Sequence, residues 1–214
     1  MEDSKKMTFW GRVLGMYIHP VRVIEDLKQR TSIIFPFLLL LLAQPAYYLI
    51  RYPAYLRFME GITGTHDSSA LTKLAVNGVI TRGVGLVAGW LVGSLLMFGF
   101  TKLVGGQGTL KQLLTANGYA YLAIIPMLII MGIAGVFTGE LLINFSPAVF
   151  IPQLRGTTLY GILRFFCAFF VWQHVLMVVG FYKVSNTTKL KSIFIVVIIM
   201  VIEFFVNFPM LKNM

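Results

Sequence analysis

Residues 193–211 read IFIVVIIMVIEFFVNFPML, nineteen positions with a single charged side chain, Glu203. A helix of that length rises about 28 Å at 1.5 Å per residue, close to the ~30 Å hydrocarbon thickness of a bilayer. Four further apolar runs precede it, at 33–50, 83–104, 119–137 and 159–182. Across the 214 residues, 57% are hydrophobic and 12% charged, against about 25% charged in ordinary globular chains. So much apolar surface exceeds what one core of this size can bury, and the bilayer is the second apolar solvent it needs. The expected fold is all-α: a polytopic membrane protein of five transmembrane helices preceded by an amphipathic interfacial helix. The expected division is a cytoplasmic amphipathic segment at 1–31 and a transmembrane domain at 32–214.

The net charge of +10 does not point to nucleic acid. The Lys and Arg residues stand mostly between the apolar runs, where they fix orientation, and not in a cluster on a soluble face. Eleven of them fall on the side of the amino-terminal segment and six on the other, with Arg164 inside the fourth run. The positive-inside rule then places the amino terminus in the cytoplasm and the carboxyl terminus outside, in a cell membrane. A single cysteine, Cys167, excludes a disulfide framework and a zinc site. Residues 1–31 carry ten charges and no unbroken apolar core, unlike a signal peptide.

Before the first run, Trp10, Val13, Leu14, Tyr17, Val21, Ile24 and Leu27 recur at helical spacing with Arg12, Arg22, Lys28 and Arg30 between them. This suits a helix lying on the inner leaflet, or equally one packed under the bundle. Pro20 should divide it and open the second piece. Residues 51–82 hold Gly61, Gly64, His66, Asp67, Ser68 and Ser69 at their centre and read as a turn between two short helices.

Three motifs carry a resemblance. The first is Trp10-Gly11-Arg12-Val13-Leu14, then His19-Pro20 and Glu25-Asp26-Leu27, leading to Pro36. The second is the connection Gly105-Gly106-Gln107-Gly108-Thr109-Leu110-Lys111-Gln112-Leu113. The third is Gly118-Tyr119-Ala120-Tyr121 followed by Pro126. In this order the chain resembles the Yip-domain family, five-span membrane proteins named for interaction with Ypt/Rab GTPases, and its bacterial members in particular. The resemblance makes Gly118, Tyr119 and Pro126 the family signature. It implies a non-enzymatic helper of another membrane complex, some members being associated with ABC-type transport machinery.

Of the residues that could carry chemistry, Glu203 is the most informative. A carboxylate inside a span costs ~2.5–3.5 kcal/mol or more, so it needs a partner or a proton. The candidate partner is Arg164, about 5 Å away in depth if both runs are straight helices. The other clear polar side chains deep in the runs are Gln44, Gln173, His174 and Asn207. Gly85, Gly89 and Gly93 form a small-residue face expected to pack against another helix of the chain. Asn117, Gly118 and Tyr119 are expected to open the third span, with a kink at Pro126. His19, His66 and His174 lack metal spacing, and no HExxH or serine-elbow pattern occurs, so no catalytic, metal or cofactor site is expected. Asn144-Phe145-Ser146 matches the glycosylation pattern, but Pro147 follows it.

Two functions remain open. One is a scaffold or accessory subunit of another membrane complex such as an ABC-type exporter. The other is a small oligomeric transporter or channel using Glu203 and Arg164.

Overall fold

The computed structural model describes residues 7–64, 67–138 and 145–213, and among them it is helical with turns and no strands. His66 and Asn144 lie outside the described residues, as does the side chain of Gln44. Helix α1 (Phe9–Ile18) starts where the Thr8 side chain accepts the Gly11 N–H, and ends at His19. Pro20 occupies the first turn of α2 (Pro20–Gln29), where its missing N–H is no loss. The pair has two apolar sides. Met16, Val23, Ile24 and Leu27 are buried under the bundle, while Trp10, Leu14, Ile18 and Val21 stay exposed.

The bundle follows: α3 (Ile34–Thr63), α4 (Ser68–Leu103), α5 (Leu110–Tyr121), α6 (Ile124–Thr138), α7 (Thr158–Phe165), α8 (Ala168–Ser185) and α9 (Lys189–Asn213), with 3-10 turns at Pro147–Phe150 and Pro152–Leu154. Helix α3 lies against α4 and α6, α5 between α4 and α8, and α9 against α7 and α8. Among the described residues four stretches are long and apolar enough to cross a membrane: Ser69–Leu103, Leu110–Phe137, Ala168–Ser185 and Lys189–Phe208. That is one fewer than the five expected. The first run is a continuous helix within α3, whose apolar stretch among the described residues, Ile34–Tyr47, is shorter than those four. In the 51–82 stretch the helix ends fall at the expected turn, but the flanking helices are continuations of the long ones and not short ones. The stretch extends α3 to Thr63 and starts α4 at Ser68, with only Gly64 (φ 64°) and the Asp67 cap described in between.

Two of the expected spans are broken. The third begins well before Tyr119, at Leu110, because Thr109 and Gln112 form a capping box. It is interrupted after Tyr121, four residues ahead of Pro126, whose ring displaces the carbonyl of Leu122. That carbonyl accepts instead from the Ile125 N–H (3.0 Å) and from the Tyr17 hydroxyl of α1 (2.5 Å). The fourth run, read as one helix, turns at Phe166 and Cys167 with no proline or glycine to signal it. There the Cys167 N–H finds Phe165 O (2.9 Å) and the Ala168 N–H reaches Phe145 O (3.4 Å).

Close approach explains the glycines of two motifs. A Cβ on Gly118 would lie 2.6 Å from the Pro36 Cβ and 3.1 Å from Trp90 Nε1, so only glycine lets α3, α4 and α5 meet there. Beside it Trp90 donates to Leu114 O (2.9 Å), and Asn117 Nδ2 donates to Ser94 Oγ (2.9 Å). Gly106 lies against Ser185 O, and the Gln107 N–H closes the end of α8 by donating to that carbonyl (3.0 Å).

Gly118→Ala should destabilise the protein by about 1–3 kcal/mol through overpacking, whereas Gly85→Ala, whose Cβ meets nothing within 4 Å, should be neutral or mildly stabilising. Thermal unfolding in detergent separates the two; equal losses would contradict the packing described.

Burial raises the Tyr17 phenol from its ordinary 10.0 to about 12. Because the folded state favours the neutral phenol, its contribution is full below pH 10 and is lost as pH rises toward 12. Tyr17→Phe should cost about 0.5–1.5 kcal/mol and remove that alkaline dependence; a variant that unfolds along the same pH curve as the parent would refute the bond to Leu122.

Candidate functional site

The polar side chains that sequence places in separate runs meet at one depth of the bundle. Glu203 projects from α9, where it is anchored from its own backbone: Asn207 Nδ2 donates to Glu203 O (2.7 Å). Its Oε2 lies 3.3 Å from His174 Nε2 on α8, and its Oε1 accepts the Tyr121 hydroxyl from the end of α5 (3.3 Å). His174 is held by the 2.9 Å contact of Nδ1 with Phe170 O one turn back, and its ring lies 4.3 Å from that of Phe170, tilted by 53°. A carbonyl only accepts, so Nδ1 carries the hydrogen. Nε2 faces the carboxylate at salt-bridge distance without hydrogen-bond alignment.

Arg164 does not join this group. The break at 166–167 puts it in the last turn of α7, where a cation complements the helix dipole. Among the described residues no ion pair joins it to Glu203. The expected pairing assumed a straight fourth helix, and the turn removes that geometry. His174 was visible as an intramembrane polar residue, but nothing in its spacing assigned it to Glu203.

The small-residue face divides as well. Added Cβ atoms on Gly89 and Gly93 would lie 3.5 and 3.7 Å from the Tyr121 hydroxyl, so these glycines seat the tyrosine that reaches Glu203. Gly85 is not covered by another helix. It opens a cavity of about 500 Å³ between α4, α5, α6, α8 and α9, whose wall includes Gly89, Gly93, Tyr121, Gln173, Glu203 and Asn207. Since Gly85, Val92, Ile202 and Val206 are exposed within spanning stretches, the cavity opens sideways toward lipid.

A second polar network fastens the α1–α2 hairpin. Arg12 pairs with Asp26 (2.6 Å) and Lys183 of α8 with Glu25 (2.5 Å). Lys28 Nζ donates to Asn186 Oδ1 (2.7 Å) and Lys183 O (3.1 Å), and Gln112 Nε2 donates to Lys28 O (3.0 Å). Tyr119 is fully buried, with Arg12 and Asp26 of this hairpin as its charged neighbours. No group of three or more His, Cys, Asp or Glu side chains that could hold a metal ion occurs among the described residues.

If His174 is the partner, Glu203→Gln and His174→Leu should be coupled by about 0.5–3 kcal/mol in a double-mutant cycle of unfolding, while Glu203→Gln and Arg164→Gln should add within about 0.5 kcal/mol. Coupling to Arg164 in place of His174 would reverse the assignment.

The Yip1 domain profile matches residues 14–209, from the second half of α1 into α9. No curated protein and no solved structure matches the chain.

Proposed function

The chain belongs to the Yip1 domain family, and from that premise we propose that it is a non-enzymatic scaffold or accessory subunit of another membrane complex, such as an ABC-type exporter. The observation that carries the reading is the one-sided cavity. Its lining ends at Leu96 on α4 and Ile199 on α9. Toward the α1–α2 hairpin the space between the helices is filled by buried Met97, Leu113, Phe181, Val184, Ile195 and Val196. A permeation path needs polar lining from face to face, whereas this arrangement suits a body that holds something at its flank. The oligomeric transporter or channel gains from Glu203 in the cavity wall but loses Arg164 as its counter-charge.

The same proposal has α3 (Ile34–Thr63) cross in addition to the four apolar stretches, which sets the hairpin in the cytoplasm and the carboxyl terminus outside. It is supported by exposed Arg22, Arg30, Lys102, Lys111, Lys189 and Lys191 around the hairpin end. Affinity purification from native membranes after cross-linking should recover one recurring membrane complex, and reporter fusions at Met1 and Met214 should score on opposite sides. A protein that purifies alone and conducts ions in vesicles would favour the transporter. Fusions scoring on the same side would mean that α3 does not cross.

A further inference from the structure

The polar end of the cavity consists of acceptors. Gln173 is 1% exposed, lines the cavity, and has its Oε1 without a hydrogen-bond partner. Beside it the Glu203 carboxylate receives one hydrogen, from Tyr121. His174, with Nε2 3.3 Å from that carboxylate, stands behind it and is not part of the cavity wall. The donors nearby are already used: Asn207 Nδ2 on Glu203 O, the Tyr121 hydroxyl on Glu203 itself, and Gln173 Nε2 on Met177 Sδ. Across the cavity, α4 presents Gly85, Ala88, Gly89 and Gly93, none of which has a side-chain donor.

A carboxylate and an unpaired amide oxygen at the wall of an apolar enclosure are destabilising unless a donor-rich cation meets them. The space is within the usual range for a small-molecule site. A bare alkali ion would fill the acceptor corner and leave the apolar remainder empty. A quaternary ammonium has the charge but no N–H to give Gln173.

We propose that this cavity binds a primary ammonium group carried on an apolar body. Its N–H donors meet the Glu203 carboxylate and Gln173 Oε1, and its hydrocarbon lies along the glycine face of α4, which the absence of Cβ atoms keeps open. Two sources present this chemistry: an aminophospholipid headgroup drawn in from the outer boundary, or a free alkylamine dissolved in the bilayer. The inference stands on the cavity and not on the scaffold reading; a protein with no partner at all could still bind the amine.

Thermal unfolding of the purified full-length protein tests it. In dodecylmaltoside at neutral pH, dodecylamine should raise the unfolding midpoint by about 5–10 °C at a hundredfold excess over Kd. Dodecyltrimethylammonium and dodecanol should not. In nanodiscs, a higher midpoint in phosphatidylethanolamine than in phosphatidylcholine supports the lipid source, and a shift with dodecylamine alone supports the free amine. Glu203→Gln and Gln173→Met should each abolish the amine-specific shift. Gln173→Met removes an unpaired acceptor without leaving a charge, so it remains informative if Glu203→Gln fails to fold. Equal shifts from the primary and quaternary amines overturn the proposal, as does the absence of any shift with dodecylamine and phosphatidylethanolamine, or a full shift retained by Gln173→Met.

Discussion

A polar group placed in hydrocarbon has no water to fall back on, so it must find its partner inside the protein. That constraint organises this bundle. Where Pro126 displaces the carbonyl of Leu122, a tyrosine from outside the spans comes in to bond it. Where the chain turns at Phe166 and Cys167, a carbonyl at Phe145 receives the Ala168 N–H. Where Glu203 stands in α9, two other helices contribute a histidine and a tyrosine. Each exception to regular helix, or to apolar composition, fastens one element to another. The exceptions are therefore also the joints of the fold.

Helix α5 is where most of these joints meet. Gly118 brings it into contact with Pro36 and Trp90, Asn117 bonds across to α4, and Tyr121 extends to α9. Its first turn is tied to the hairpin through Gln112 and Lys28. The hairpin in turn grips the end of α8 through Lys28 and Glu25. Packing here depends on small residues and hydrogen bonds because lipid tails remove the hydrophobic drive between spanning helices. The family profile begins at residue 14 and so takes in α2, in keeping with a hairpin that is built into the bundle.

The flank of the molecule is arranged differently from its centre. Around Trp90, Tyr119 and Phe181 side chains are fully buried, whereas Gly85 and its neighbours leave a hollow open to lipid with polar groups at its inner wall. A scaffold that holds a partner, and a pocket that holds an amine, would use such a hollow in compatible ways. In either case the ligand supplies contacts the bundle does not make for itself, which is where binding free energy is available without repacking the core.

Composition and run length alone determined that the chain is an all-α, multi-pass membrane protein, because the transfer free energy of so many apolar residues leaves no other solvent for them. Local chemistry gave the start of α2 at Pro20 and the need of Glu203 for a partner. The motif glycines were legible as positions without side chains. Only tertiary structure decided what they admit: Pro36 at Gly118, Tyr121 at Gly89 and Gly93, and open space at Gly85. It also replaced Arg164 by His174, because a turn without proline or glycine redirects the chain and no residue spacing announces it. A sequence records which groups must be satisfied; which groups satisfy them depends on the rotation and depth of each helix, and those are set by contacts between segments far apart in the chain.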